Sequence, residues 1–422
     1  MKVISSVAFA ALLTVLTLTR AANAHEPHIT IIGAFAGSGA GFTPLAAVTF
    51  GPDGTLYGTT TGGGTARCKC GTVFSLRLVG STWTLTTIHN FQGGRDGAVP
   101  AAPLLVDPHG VIYGTTIDGG NGCPAGCGTV FKLTPIGARY SESILYRFTG
   151  GADGGFPSGG LIEDVSGALY GLAGAGGNTG CQQGCGVAYK LTPNGSTYTE
   201  SVLHTFMGGA TDGATPNYTT LVADKAGDLF GTTIGGGDML CDLGCGTAFE
   251  LKPSSHGYDE SVLHFFSGPP DGAEPYGGPI FNVDGALYGT TELGGAINAC
   301  QSSSGCGTVY ELAPGQNGFT ESVVYSFAGG ADAFGPEQAL VADKSGTLYG
   351  AAPGGGRANL GVLFKLARSG SGYTETVLHD FHGRGDGFGP YGALVVGRFG
   401  RLFGTAITGP DGFGGEVFEF VQ

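Results

Sequence analysis

The sequence predicts an all-β fold: a seven-bladed β-propeller with four antiparallel strands per blade. Three observations carry this. A short run, Leu-Tyr-Gly-Thr-Thr and its variants, occurs seven times, with its glycine at Gly58, Gly114, Gly171, Gly231, Gly289, Gly350 and Gly404. Successive glycines stand 54 to 61 residues apart, a period suited to a small sheet repeated around a ring. Finally, the two ends of the chain carry complementary fragments of one unit.

Residues 1–24 read as a signal peptide. Lys2 supplies the positive end, Val7 to Leu18 the apolar run, and Ala22-Asn23-Ala24 a small-residue cleavage site. That run is shorter than the roughly 20 residues of a membrane span. The mature chain is expected to begin at His25, with residues 25–422 forming one propeller domain. Net charge is −14, and loss of Lys2 and Arg20 with the leader makes it −16. Such an excess of acid argues against nucleic acid, whose phosphates need clustered Lys and Arg, and against anionic membranes. No second apolar run reaches spanning length. The expectation is a secreted or periplasmic monomer. Glycine, 84 of 422 residues, would suit disorder if scattered. Here it recurs at fixed places and reads as a turn residue.

The second unit serves as the type. Ala102 to Asp107 is apolar and ends in a turn at Asp107-Pro108-His109-Gly110. Val111 to Thr116 is the period-marking run. Gly128 to Leu133 alternates apolar and polar residues, and a turn follows at Thr134-Pro135-Ile136-Gly137. Ser141 to Phe148 is the fourth run. β-Branched and aromatic residues fill the runs, and Gly, Pro and Asp punctuate them. No helix is expected in the mature chain. At the N-terminus, Ile29 to Phe35 matches the fourth run. At the C-terminus, Gly415 to Phe420 matches the third. Residues 28–35 should therefore complete the blade begun by residues 390–421. With strands running from axis to rim, one face collects the long loops, Gly93 to Pro100 and Gly119 to Cys127 in this unit. The other face has only tight turns, so a binding site is expected on the first.

The motifs Gly-Thr-Val-Phe-Lys-Leu, Glu-Ser-Val-Leu-His-x-Phe, Gly-Gly-x-Asp-Gly-x-x-Pro and Leu-Tyr-Gly-Thr-Thr-x-x-Gly-Gly recur in order over nearly all of residues 28–421. In this the chain resembles the Gloeo–Verruco (GloVer) tandem-repeat family. The resemblance implies a propeller-like, exported bacterial protein, often tethered by a C-terminal anchor, and implies no chemistry. Nothing after Phe420 reads as an anchoring tail. The order of runs is also similar to NHL-type propellers.

Ten cysteines fall as five close pairs, Cys68/Cys70, Cys123/Cys127, Cys181/Cys185, Cys241/Cys245 and Cys300/Cys306, each in a loop between second and third runs. Even count, tight pairing and an export signal predict disulfides that pin these Gly-rich loops, with Cys68/Cys70 strained by its single intervening residue. Zinc shared between neighbouring pairs is the rival reading. It is disfavoured because the pairs spread over five blades, and no metal or cofactor is expected. Asp96, Asp153, Asp212, Asp271, Asp332 and Asp386 recur in Gly-x-Asp-Gly loops. A calcium ring is one reading; a turn-forming carboxylate is the better one, because catalysis needs a few unique groups. His89, His204, His264 and His379 share one position with Tyr146 and Tyr325, which marks packing. His25 would be the mature N-terminus and a copper chelator only with a partner. Arg384-Gly385-Asp386 arises whenever Arg fills the variable loop site. Asn194 and Asn217 begin glycosylation sequons, meaningful only in a eukaryotic secretory route.

Aromatic residues divide into two sets. Phe35, Phe91, Phe148, Phe206, Phe266, Phe327 and Phe381 close every fourth run and should form the inter-blade core. Phe42, Phe156, Tyr218, Tyr276, Phe334, Phe388 and Tyr391 occur irregularly in loops entering the first run, near the expected axis. They are the candidate ligand-binding residues, because rings beside Asp and Asn suit sugars; plugging the central channel is the competing role. Nucleophile elbow, Walker loop, zinc-protease and dinucleotide motifs are all missing. The expected function is non-catalytic binding of an extracellular glycan or surface protein. The alternative is a polysaccharide hydrolase or lyase using carboxylates that break the repeat, Asp118, Asp238, Glu274, Glu292 and Glu337. A structural surface-layer role is a third reading.

Overall fold

A computed structural model describes residues 27–422 except 36, 38, 121, 239, 242, 299, 301, 317, 371, 384, 410, 411 and 413. The leader, His25 and Arg384 lie outside the described residues. Seven four-stranded antiparallel sheets form the propeller, and two one-turn 3-10 segments, Gly94–Asp96 and Arg398–Gly400, are its helical parts among the described residues. No helix there is long and apolar enough to cross a membrane. In the second blade the strands are Leu105–Val106, Ile112–Thr116, Thr129–Ile136 and Arg139–Arg147. The first strand is shorter than the run Ala102 to Asp107 led us to expect. The first strand is two residues long in all seven blades.

The period-marking run is buried along its length in all seven blades. Each of its positions has a separate job. Its glycine sits inside the strand and is not a turn residue. Gly114 lies directly opposite Phe131 in the ladder, and a Cβ there would come within 2.5 Å of the ring. The pairs Gly58/Phe74, Gly171/Tyr189, Gly231/Phe249, Gly289/Tyr310, Gly350/Phe364 and Gly404/Phe418 repeat this. The glycine is required for room, not for backbone freedom. The first threonine reaches the next blade, as in Thr115 Oγ1 to Gly159 O (3.2 Å) and Thr405 Oγ1 to Ala46 O (3.1 Å). The second joins its own third strand, as in Thr116 to Thr129 at 2.8 Å.

The ring closes as the chain ends require. His28–Ala34 pairs antiparallel with Glu416–Val421, from His28 opposite Val421 to Ala34 opposite Glu416. This strand carries the same bulge that shifts the third-to-fourth register in the other blades. Each phenylalanine closing a fourth strand stacks edge-on against the third-strand aromatic of the following blade. Centroid distances are 4.9 Å for Phe35–Phe74, 5.1 Å for Phe91–Phe131 and 5.6 Å for Phe381–Phe418. These rings are the inter-blade core, as the sequence indicated.

Candidate functional site

The loops entering each first strand share an Xaa-Pro step. In five blades the residue before proline is not glycine yet lies in the left-handed region: Thr43, Val99, Phe156, Thr215 and Glu274, with φ of 56–58°. Gly335 and Gly389 fill the other two places, at 62° and 67°. An L-residue here costs roughly 1–2 kcal/mol, so something must hold it. Where the preceding blade has a cysteine pair, the N–H donates to the carbonyl of the second cysteine. The bonds are Val99 to Cys70 (2.9 Å), Phe156 to Cys127 (2.7 Å), Thr215 to Cys185 (2.8 Å), Glu274 to Cys245 (2.9 Å) and Gly335 to Cys306 (3.0 Å).

All five predicted disulfides are formed: Cys68–Cys70, Cys123–Cys127, Cys181–Cys185, Cys241–Cys245 and Cys300–Cys306. They fix the carbonyls that clamp the entering loops. Each pair lies in the loop between second and third strands, as expected. The second member is also part of the core: Cys127, Cys185 and Cys245 are 0% exposed and Cys306 is 2% exposed. Cys306 packs with Val309, Phe327 and Ala333, and Cys127 with Val130 and Phe148. The reason is position. The second cysteine stands two residues before the third strand, where the chain has already turned in beneath the closing phenylalanine of its own blade. Buried sulfur there serves packing as well as cross-linking.

The residue after each proline points the chain at the axis, and there the repeat stops repeating. Leu45, Ala101, Ser158, Tyr276, Glu337 and Tyr391 occupy that position in six blades. The fourth loop is one residue longer, and its extra Tyr218 reaches the same place. All seven line one axial cavity of about 210 Å³. The first three blades contribute small or aliphatic side chains. The last four contribute, in succession, Tyr, Tyr, Glu and Tyr. Ser158 holds the longer loop, accepting a hydrogen bond from the Tyr218 N–H (2.9 Å) and donating to Asn217 Oδ1 (3.2 Å). Tyr218 and Tyr276 lie 6.2 Å apart by ring centroid. A second cavity of about 350 Å³ shares Ser158 and Tyr218 and continues past Phe156, Asn217, Gln182 and Gln183.

Of the seven candidate aromatics, the structure therefore brings Tyr218, Tyr276 and Tyr391 together at the axis and places Phe156 beside the adjoining cavity. Phe42, Phe334 and Phe388 line neither; they sit in short ladders opposite Gly62, Gly354 and Thr408. Three of the five repeat-breaking carboxylates gather near the mouth. Burial and the charge of Glu292 push Glu337 up to about 7, and burial and Glu274 raise Glu292. Asp118 pairs through its backbone with Ala98 on the second blade, and the Asp238 carbonyl accepts the Cys245 N–H on the fourth. Sequence reasoning passed over Ser158 and Gln338 as part of this site. The signal was present: an unvarying proline followed by a residue that differs almost every time.

The recurrent aspartates form turns. Asp153 accepts the Thr149 N–H (2.8 Å), Asp271 that of Ser267 (3.0 Å) and Asp332 that of Ala328 (2.8 Å). Each also meets the His or Tyr on the strand before it: Tyr146 (3.0 Å to Asp153), His264 (3.0 Å to Asp271) and His379 (3.0 Å to Asp386). Those rings pack on the next phenylalanine, as His89 does on Phe91 at 4.6 Å. A third member, unforeseen, comes from the following blade: Glu142, Glu200, Glu260, Glu321 or Glu375, always opposite the third-strand leucine. Burial, then the neighbouring aspartate, pushes Glu142 to about 9; burial likewise raises Glu200, Glu321 and Glu375 to about 7, and Glu260 also upward. Burial alone would raise Asp96, but the neighbouring His89 and Glu142 and the hydrogen bond from the Gln92 N–H hold it near 2. At the seventh interface all three members are missing together, replaced by Gly33, Ala40 and Leu85. Three trios, His89/Asp96/Glu142, His204/Asp212/Glu260 and His264/Asp271/Glu321, bring donor atoms within 4.8 Å and are the places where a cation could sit. Tyr146 and Tyr325 replace histidine in the trios of Glu200 and Glu375, so the element common to all five is a half-buried glutamate beside the turn aspartate, which raises its carboxyl.

The profile of the Gloeobacter/Verrucomicrobia repeat matches residues 14–242 and 219–422. No curated protein matches the sequence. Solved structures share the fold at low identity. A protein of Bacteroides uniformis named as a candidate 6-phosphogluconolactonase is 14% identical, with 85% of this chain and 89% of that one covered and a TM-score of 0.50. A Lactobacillus plantarum protein is also 14% identical, covering 85% and 97%, with a TM-score of 0.50. A fungal alcohol oxidase in complex with copper is 12% identical, covering 92% and 76%, with a TM-score of 0.55.

Proposed function

Because this chain belongs to the Gloeobacter/Verrucomicrobia repeat family, whose name carries no activity, we propose its function from the site: an exported, non-catalytic binding protein that holds a glycan at the axial mouth of its loop-rich face. One observation supports this above the rest. The position after the loop proline, where all seven blades meet, varies almost freely within an otherwise regular repeat, and there the chain has placed three tyrosines beside polar groups. Tyrosine offers a sugar an apolar ring and a hydroxyl at little conformational cost. Five disulfides suit an oxidising, extracytoplasmic compartment.

A glycan array probed with the mature protein tests this reading. Binding is expected to fall about tenfold in Tyr276→Ala and in Tyr391→Ala, in keeping with roughly 0.5–1.5 kcal/mol per aromatic contact, with the melting temperature little changed. Silence across the array would refute it. A polysaccharide-cleaving enzyme is the second reading, favoured by the gathering of Glu274, Glu292 and Glu337 and by the raised Glu337 carboxyl, which suits a general acid. Release of reducing ends from a bound glycan, abolished by Glu337→Gln, would establish it over simple binding.

A further inference from the structure

Resting on the axial cavity as the ligand site, we propose that the group it accepts is a protonated amine, carried by an amino sugar at the end of an oligosaccharide whose other units leave along the adjoining cavity.

The first argument is charge. Among the described residues, no Lys, Arg or His lines the axial cavity. The charges felt by its tyrosine hydroxyls all come from acids: Glu337 at Tyr218; Glu292, Glu274 and Glu337 at Tyr276; Glu337 and Glu292 at Tyr391. A uronic acid or sulfated sugar would meet uncompensated repulsion. The second argument is the state of Glu337. Its carboxyl makes no hydrogen bond or ion pair with the protein among the described residues, although the residue is half-buried. A neutral ligand would deepen that burial without answering it; an ammonium group answers it, since a buried carboxylate is tolerated when paired. The third is aromatic. A cation inside a cavity of about 210 Å³ walled by Tyr218, Tyr276 and Tyr391 lies within cation–π reach, about 6 Å, of more than one ring.

The cavity's surroundings point to a sugar rather than a free amine. Its walls Ser158 and Tyr218, on the third and fourth blades, are shared with the larger cavity bounded by Phe156, Asn217, Gln182 and Gln183. Amides and a ring there match the hydroxyls and apolar faces of further sugar units.

Calorimetric titration with three β-1,4-linked tetrasaccharides tests the proposal: one of glucosamine, one of N-acetylglucosamine and one of glucose. The glucosamine form should bind at least tenfold more tightly than the other two. Glu337→Gln, which keeps the shape and removes the charge, should bring it down to their level. Equal binding of the acetylated or neutral form, or no effect of Glu337→Gln, would overturn the amine while leaving the glycan site standing. Failure of all three to bind would remove the glycan reading as well. Undiminished glucosamine binding in Tyr276→Ala/Tyr391→Ala would assign the attraction to the acidic surface at large and equally overturn the proposal.

Discussion

Raising the pH from 5 to 7.5 should destabilise this protein. The five glutamates between blades have folded-state pKa values above the ordinary 4.5, to about 9 at Glu142 and about 7 at Glu200, Glu321 and Glu375, with Glu260 also raised. Over this window the folded chain keeps protons that the unfolded chain has released, so stability falls as pH climbs. At full value a rise of about 2.5 pH units is about 3.4 kcal/mol per group. These carboxyls keep some contact with water, so we take ~1 kcal/mol each, or about 5 kcal/mol for the five. Glu337 and Glu292 add to the same slope. His379, lowered mainly by burial, opposes it singly, gaining stability as pH rises. Asp96 and Asp271, held low, are ionised throughout and contribute nothing here. With an unfolding entropy of about 2.1 cal/mol/K per residue, roughly 400 residues give about 0.8 kcal/mol per degree. The melting temperature should therefore drop by about 6 °C. Scanning calorimetry at four pH values under non-reducing conditions reads this directly. A variant with glutamine at all five positions should lose most of the slope while keeping its stability at pH 5. A flat or rising profile in the native protein would refute the reading that these glutamates stay protonated in the folded chain.

Three further outcomes follow from the packing. Gly231→Ala places a Cβ 2.6 Å from the Phe249 ring and should cost about 1–3 kcal/mol by overpacking, measured by denaturant unfolding. Phe35→Ala, which removes the fully packed ring of the closing strand, should cost about 3–5 kcal/mol; deleting residues 25–36 should lower the melting temperature further. Cys181→Ser/Cys185→Ser opens a five-residue ring worth about 2 kcal/mol on the chain-entropy estimate. It should also loosen Thr215, seen as faster amide exchange at that residue.

Most of the architecture could be read from the chain because blades repeat in sequence what they repeat in space. Counting Leu-Tyr-Gly runs and matching Ile29 to Phe35 with a fourth strand located every blade and the closure. The run was legible as a strand, but not why it carries glycine: a residue chosen for lack of volume looks the same in one dimension as one chosen for a turn, and only the register against Phe131 separates them. Cys306 and its counterparts were legible as paired, but a cysteine that also fills core space looks no different in a string of letters from one that only ties a loop. Tyr218, Tyr276 and Tyr391 were legible as loop aromatics, yet their convergence depends on the ring. The glutamates were hidden for a related reason. Glu142 meets Asp96 and His89 across a blade boundary, 46 and 53 residues away. Its only trace in the sequence is that Leu85 replaces it where Gly33 and Ala40 replace the other two.

That exception falls where the two termini meet. The junction between the closing strand and the first blade is held by Phe35 against Phe74 and by Ile32 and Leu85 nearby. None of the five raised glutamates stands there for alkali to act on. A toroid loosened by rising pH should consequently part in the middle of its circumference while the clasp that fastens its two ends stays shut, and the chain would spread open as a still-fastened hoop instead of unwinding from its tips.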